Sequence, residues 1–154
     1  MIVTGQKYGI LTVCLLYAAI VTIWQLNYNS VYHDEALNIT MGNQVLGMEY
    51  CPGCAQNTGS VLIHPVMAAI GDRIGGLAGA RSVGILFGLG LTVALFGITR
   101  RLFTDAHANT AAILTVISST YIYLSKLATY DIVSACFLAI SFWLLVTSKQ
   151  NQAF

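Results

Sequence analysis

The sequence has 154 residues, of which 56% are hydrophobic and only 8% are charged, and its mean hydropathy is +0.73. Soluble domains carry about 25% charged residues, so the composition excludes an ordinary water-exposed surface, and its hydrophobicity excludes a disordered chain. A net charge of +1 leaves no basic surface for phosphate groups, so we expect no nucleic acid partner. The composition predicts an integral membrane protein.

Four runs without charged residues approach the length of a membrane-spanning helix, which needs about 20 apolar residues. They hold between sixteen and twenty residues each. We therefore predict an all-α membrane protein, with residues 1–154 forming a single membrane domain. Its four transmembrane helices are expected at about 8–27, 81–99, 107–125 and 128–148, with a long external loop over 28–80.

Basic residues that flank the spans predict the orientation of the chain. Those on one side are Lys7, Arg100, Arg101 and Lys149, and those on the other are Arg73, Arg81 and Lys126. This bias places the N-terminus in the cytoplasm. We expect an integral multi-pass protein of a bacterial-type plasma membrane, or of the ER membrane in a eukaryote.

The loop over 28–80 is predicted to bear two short juxtamembrane helices. Asp34 to Gly47 has apolar residues at helical spacing and two acids in its first turn, which is typical of an amphipathic helix at the membrane interface. Val61 to Gly71 is apolar, but its eleven residues are too few to span. We expect Pro65 to interrupt this second helix.

Three acidic side chains are candidates for chemistry. The adjacent carboxylates of Asp34 and Glu35 can bind a divalent cation, or one can remove a proton from an acceptor hydroxyl. They also suit a plain helix N-terminus. Asp131, at the outer end of the fourth span, is either a functional ionisable group or an interfacial helix cap. Asp34 and Asp131 lie on the same side in the predicted topology and can converge on one site.

Basic and sulfur-containing residues add further candidates. Arg81, at the outer mouth of the second span, is placed to neutralise a phosphate or to anchor the helix at the interface. His64 is either structural or part of the site. Cys51 and Cys54 form a C-x-x-C motif, which suits a disulfide, a redox pair or half of a metal site. Of these three, we favour a disulfide that closes the loop.

Five short motifs follow one another along the chain: YHDEA at 32–36, HPV at 64–66, AR at 80–81, RR at 100–101 and TYD at 129–131. With this order and spacing, the chain resembles the N-terminal part of polytopic glycosyltransferases of the GT-C fold. It is most similar to the branch of protein O-mannosyltransferases and lipid A aminoarabinose transferases. The His-Pro-Pro-like motif of that branch is matched only in part, since Val66 replaces the second proline, and the pair of Cys51 and Cys54 has no place in the family pattern.

The resemblance implies a membrane glycosyltransferase. Such enzymes move a sugar from a polyprenyl-phosphate carrier to a hydroxyl group of an acceptor glycan, lipid or protein on the external face. By this resemblance Asp34 is the base, Glu35 is its partner or a metal ligand, and Asp131 orients the acceptor or helps to bind a divalent cation such as Mg²⁺ or Mn²⁺. The residues expected to bind substrate are Arg81, His64, Lys126 and Tyr130.

The family comprises much longer chains, so we expect this one to be the N-terminal portion of a larger fold, or to need a partner chain that supplies further helices. Two other functions fit the sequence. One is a non-catalytic four-helix membrane assembly subunit, with Gly84 and Gly88 at its interface. The interface of such a subunit would include all four glycines of the second span, Gly84, Gly88, Gly90 and Gly97. The other function is a membrane thiol oxidoreductase that uses Cys51 and Cys54.

Overall fold

The computed structural model describes residues 3–24, 26–27, 29–47 and 63–151 and, within these ranges, the side chains of residues 8–148. This part of the chain is all-helical, as predicted. Its helices are α1 (Val3–Ile23), α2 (His33–Val45), α3 (Ile63–Leu102), α4 (Asp105–Ile117), α5 (Ser119–Ser125) and α6 (Tyr130–Asn151).

Two of these helices, α3 and α6, are long and apolar enough to cross a membrane. The most apolar stretch of α3 has a mean hydropathy of 2.0, and Tyr130–Ser148 of α6 has 1.8 over 19 residues. Helix α3 contains the predicted span 81–99, and α6 contains the predicted span 128–148 except for its first two residues. The apolar part of α1, Tyr8–Ile23, is shorter than this length, so the structure does not confirm all four predicted transmembrane helices.

The predicted span over 107–125 is not one continuous helix. Ser118 has φ −64° and ψ 125°, an extended conformation that ends α4, and α5 begins at the next residue. Because an α-helix rises 1.5 Å per residue, the 13 residues of α4 cover about 20 Å of a hydrocarbon core roughly 30 Å thick. The prediction of a continuous helix is wrong because one serine leaves the helical region.

Helix α3 folds back on itself at Gly75 and Gly76, which divide it into a short arm (63–74) and a long arm (77–102). Gly76 has φ +59°, in the left-handed region that favours glycine. A Cβ atom built on Gly71 would lie 2.5 Å from the carbonyl oxygen of Gly79, whereas eight residues of straight helix would separate the two by about 12 Å. The arms therefore run antiparallel with their backbones in contact.

The short arm and α2 correspond to the two predicted juxtamembrane helices. Contrary to the prediction, Pro65 does not interrupt the short arm, because it lies in the first turn, where its missing N–H leaves no helical hydrogen bond unmade. Gly42 of α2 packs directly against the carbonyl group of Pro65. Only glycine permits this approach, which fixes α2 against the short arm.

Two of the three apolar clusters among the described residues each join more than two elements. In the smaller one, Ala68, Ala80 and Ala128 meet Ile39 of α2, and these small side chains let α2, both arms of α3 and the segment before α6 approach closely. The larger cluster joins α1, the long arm, α4, α5 and α6 through Leu11, Cys14, Ala18, Phe96, Ala108, Ala112, Val116, Tyr121, Ile132 and Val133.

Polar contacts mark the two opposite ends of this bundle. At one end, near the start of α1, the guanidinium carbon of Arg100 lies 4.8 Å from the ring centroid of Tyr8. At the other, Arg81 donates a hydrogen bond to the carbonyl oxygen of Leu26, just after α1. Helix α1 is therefore antiparallel to the long arm. We call the end with Arg81 the α2 end and the end with Arg100 the α4 end.

A buried ion pair between Glu35 and Arg81 holds the α2 end together. Glu35 is fully buried and Arg81 is 3% exposed. Arg81 Nε donates to Glu35 Oε1 at 2.8 Å, and Nη2 donates to Oε2 at 2.7 Å. The backbone N–H groups of Ala128 and Tyr32 donate to Oε1 at 2.9 Å and Oε2 at 3.1 Å. Each carboxylate oxygen accepts two bonds, so this side chain joins α2, α3 and the α5–α6 connection.

These hydrogen bonds also set the charge state of Glu35. Burial alone would raise the pKa of this carboxyl group. The bonds from Arg81 and from the N–H groups of Ala128 and Tyr32 outweigh burial and hold the pKa below its ordinary value of 4.5. Glu35 is therefore ionised at neutral pH, and the pair carries no net charge.

The remaining N–H donors of Arg81 all form hydrogen bonds to backbone carbonyl groups. Nη1 donates to the carbonyl oxygens of Leu26 at 2.6 Å and Asn29 at 3.4 Å, and Nη2 donates to that of Ser30 at 3.3 Å. A guanidinium group has five N–H donors, and these bonds, together with those to Glu35, give each donor an acceptor. Arg81 thus ties the segment after α1 to the start of the long arm.

Gly79→Ala tests the contact between the arms of α3. We expect a loss of roughly 1–3 kcal/mol in the free energy of unfolding, because the new methyl group meets the carbonyl group of Gly71. Gly9→Ala is the matched control, since nothing lies within 4 Å of a Cβ atom at that position. Thermal unfolding of the purified variants in detergent measures both. Equal melting temperatures would contradict the backbone contact.

Glu35→Gln tests the buried ion pair. We expect a loss of about 3–5 kcal/mol in the free energy of unfolding, because the substitution leaves the Arg81 charge buried without a counter-ion. The neighbouring exposed acid supplies the control, and Asp34→Asn is expected to change stability by less than about 0.5 kcal/mol. The same thermal measurement compares them, and an equally small effect of Glu35→Gln would show that the pair does not stabilise the fold.

Candidate functional site

The structure brings most of the predicted site residues to the α2 end. Glu35 contacts both Arg81 and the backbone of Ala128. Asp34 precedes Glu35 in the first turn of α2, and Asp131 follows Ala128 by three residues in the first turn of α6. Both acidic segments and the basic opening of the long arm therefore meet at one end of the bundle.

The adjacent acids Asp34 and Glu35 have opposite environments. Successive residues of an α-helix point about 100° apart, so one residue of such a pair can face the protein while the other faces outward. Glu35 faces Arg81 and is fully buried, whereas Asp34 is exposed. Of the two carboxylates, Asp34 is the one that a substrate can reach.

A cavity of about 100 Å³ lies beside the ion pair. Lys126 Nζ, on its wall, donates to the carbonyl oxygen of Trp24 at 3.0 Å. This bond uses one of the three donors of an ammonium group, whereas the donors of Arg81 all have acceptors. Lys126 is therefore the better placed of these two cations to bind a ligand in the cavity. The lining residues are Leu26, Asn29, Tyr32, Arg81, Tyr123, Lys126 and Leu127.

His64, at the start of the short arm, is fully buried. Neither ring nitrogen has a hydrogen-bond partner among the residues that the structure describes. The ring lies within electrostatic range of Asp131, which is exposed at the start of α6 beside the exposed Tyr130. His64 thus lies behind the accessible surface, whereas Tyr130 and Asp131 are part of it.

The predicted metal ligands Asp34, Glu35 and Asp131 do not fit a divalent cation well. Mg²⁺ and Mn²⁺ bind through carboxylate oxygens, but both oxygens of Glu35 already accept two hydrogen bonds each. Within the described ranges, no three or more His, Cys, Asp or Glu side chains form a group that could hold a metal ion. A cation at these residues stays a prediction, and the function proposed below does not depend on one.

The predicted disulfide partners Cys51 and Cys54 lie outside the described residues, so the disulfide stays a prediction. Both cysteines for which the structure gives a position, Cys14 and Cys136, are buried free thiols.

Several contributors to the α2 end were not predicted from the sequence. Tyr32 and Tyr123 line the cavity, and backbone groups of Leu26 and Ala128 complete the ion pair. Tyr32 lies within the YHDEA motif, so its position was a usable signal. The backbone contacts cannot be recognised in the sequence, because nearly every residue offers both a backbone carbonyl group and a backbone N–H.

Comparison with known proteins gives one match. A family described as dolichyl-phosphate-mannose-protein mannosyltransferase matches residues 61–154, which is more than half of the chain. The matched region includes Arg81, Lys126 and Asp131, while Asp34 and Glu35 precede it. No curated protein and no solved structure matches the chain. The match confirms the resemblance noted in the sequence, and with the membrane-length helices α3 and α6 it shows that the chain belongs to the dolichyl-phosphate-mannose-protein mannosyltransferase family.

Proposed function

We propose that the chain transfers mannose from a polyprenyl-phosphate carrier to an acceptor hydroxyl group at the α2 end, on the external face of the membrane. Family membership supports a glycosyltransferase. The observation that carries the finer proposal is the exposure of Asp34 next to the fully buried Glu35. The buried ion pair fixes the first turn of α2 and leaves one carboxylate free to face a substrate.

In this reaction Asp34 is the general base. Its carboxylate accepts the proton of the acceptor hydroxyl while the hydroxyl oxygen forms a bond to the anomeric carbon of the sugar. The bond from that carbon to the phosphate oxygen breaks, and its electron pair leaves with the polyprenyl phosphate. A positioned base contributes typically 10²–10⁴-fold to such a proton transfer.

Glu35 and Arg81 are positioning residues in this proposal. Glu35 has no lone pair left for a substrate proton, and Arg81 has no donor left for a phosphate oxygen. They act through Asp34, because the backbone that carries Asp34 is fixed by the ion pair. His64, which is fully buried, supports the site from behind the surface.

Lys126 is the cation that we propose for the departing phosphate. Electrostatic stabilisation of developing negative charge requires a donor that is already in place, and the bond to the Trp24 carbonyl holds the ammonium group at the cavity. A cavity of about 100 Å³ has room for roughly three water molecules, which suits a phosphate group. We assign the acceptor to the exposed surface beside Tyr130 and Asp131.

The alternative of a non-catalytic assembly subunit relied on the four glycines of the second span as an interface. In the structure, Gly84 packs against the carbonyl groups of Ser125 and Leu127, and Gly88 packs against the Ser125 side chain. Gly90 packs against Cys136, and Gly97 packs against Trp143. Internal packing therefore accounts for all four glycines. The thiol oxidoreductase alternative rests on Cys51 and Cys54, which lie outside the described residues.

Asp34→Asn tests the base. In vesicles that contain the 154-residue chain, mannosyl phosphopolyprenol and a serine-rich peptide, we expect the turnover of transfer to fall 10²–10⁴-fold. The KM for the donor is expected to stay unchanged. The control is Asp72→Asn, which removes an acidic side chain of the short arm instead, and this variant should transfer mannose normally. Normal turnover in Asp34→Asn would exclude this residue as the base, and an unsubstituted chain without transfer would contradict the proposal that this chain transfers mannose without further helices.

Lys126→Gln tests the phosphate site. We expect kcat/KM for the donor to fall roughly 10–150-fold, since a hydrogen bond to a charged group contributes about 1.5–3 kcal/mol and this one strengthens as negative charge develops on the phosphate. We expect Lys126→Arg to restore most of the loss. Arg73→Gln removes another cation of the α2 end and controls for net charge. A Lys126→Gln variant with an unchanged kcat/KM for the donor would contradict this assignment.

A further inference from the structure

A second cavity lies at the α4 end, far from the proposed catalytic site. It has a volume of about 550 Å³ and lies between α1, the long arm of α3 and α6. This volume is within the range of roughly 300–1,000 Å³ that is usual for ligand sites. The transfer reaction proposed above makes no use of this cavity.

The cavity walls combine an apolar surface with a basic rim. Leu11 and Phe96 contribute apolar surface, and Arg100 and Arg101 lie at the rim. Both arginines belong to the last turn of α3, the helix long enough to cross a membrane. Basic residues at the end of such a helix lie at the level of the lipid headgroups, where they attract anionic lipids. The cavity therefore matches a molecule with an anionic head and an apolar tail.

Arg100 is held in place at this rim. Its Nε donates to Asp105 Oδ1 at 2.8 Å, its Nη1 donates to the hydroxyl of Tyr8, and its guanidinium group lies over the Tyr8 ring. These two hydrogen bonds use two of its five N–H donors. The group is therefore oriented before a ligand arrives, while it retains donors that can bind phosphate oxygens.

Trp143 provides a second, independent observation. Its ring lines the cavity and packs against Gly97, where a built Cβ atom would lie 2.6 Å from the indole. The indole nitrogen Nε1 is buried and has no hydrogen-bond partner among the described residues. Buried donors are normally bonded, so an acceptor oxygen in the cavity would satisfy this one.

We infer that this cavity binds an anionic glycerophospholipid of the surrounding bilayer. Its phosphate contacts Arg100 at the rim, and one acyl chain lies along Leu11 and Phe96. The carrier-linked donor is not the occupant, because the 19 residues of helix between Arg81 and Arg100 place the rim about 28 Å from the α2 end. An apolar helix is not the occupant either, because it would bury Arg100 without bringing an anion.

Fluorescence of Trp143 tests this inference directly. The chain has two tryptophans, and Trp24→Phe leaves Trp143 as the reporter while keeping the backbone carbonyl that Lys126 uses. The protein is placed in vesicles that contain increasing fractions of brominated phosphatidylglycerol or of brominated phosphatidylcholine. We expect the anionic lipid to quench Trp143 at a several-fold lower mole fraction, and high salt to reduce the difference.

The double variant Arg100→Gln/Arg101→Gln in the same background is expected to abolish this several-fold preference, because it removes both basic residues at the rim. Arg73→Gln, an exposed arginine at the α2 end, should retain it. Equal quenching by the two lipids, or a preference that persists in the double variant, would overturn the inference.

Should the double variant fail to fold, the salt series on the parent protein decides, because a salt-independent preference also overturns the inference. Quenching that falls as protein density rises, whatever the headgroup, would show that a second copy of the chain occupies the cavity.

Discussion

A carboxylate and a guanidinium that are buried together must satisfy each other and nearly every remaining polar atom, since the desolvation penalty is several kcal/mol per ion. Glu35 and Arg81 meet this requirement by recruiting backbone groups from two separate segments, the α1–α2 connection and the α5–α6 connection. They are 46 positions apart in the sequence, and the stretch between them contains most of α2, the short arm and the start of the long arm. The geometry of the α2 end therefore follows from one pair of side chains.

The same pair separates two functions within an acidic motif. One carboxylate of the motif is used up in holding α2 to α3, and its neighbour, one position earlier in the helix, remains exposed. This division leaves an exposed carboxylate on a short helix that has little apolar surface of its own. It also explains why Arg81, although it lines the cavity, is better suited to positioning than to binding a ligand.

Hydropathy was sufficient to predict the positions in the sequence of two helices, α6 and the long arm of α3. The reason is that a run of about 20 apolar residues in a membrane protein has few possible structures other than a membrane-spanning helix. Hydropathy failed at Ser118, since a single polar residue barely changes the mean of a window while a change of backbone dihedral redirects the chain. The chain pattern also predicted that the acids and Arg81 share one end. It did not predict that Glu35 rather than Asp34 is buried, because that depends on Arg81, which is distant in the sequence.

The hairpin of α3 has a mechanical consequence. Its two arms are joined by only two glycines and touch through their backbones at Gly71 and Gly79, so the short arm follows any rigid-body movement of the long arm. A membrane helix changes its tilt with the thickness of the bilayer around it. The depth and angle at which the α2 end meets the lipid surface are therefore coupled to bilayer thickness through the backbone contact between the two arms.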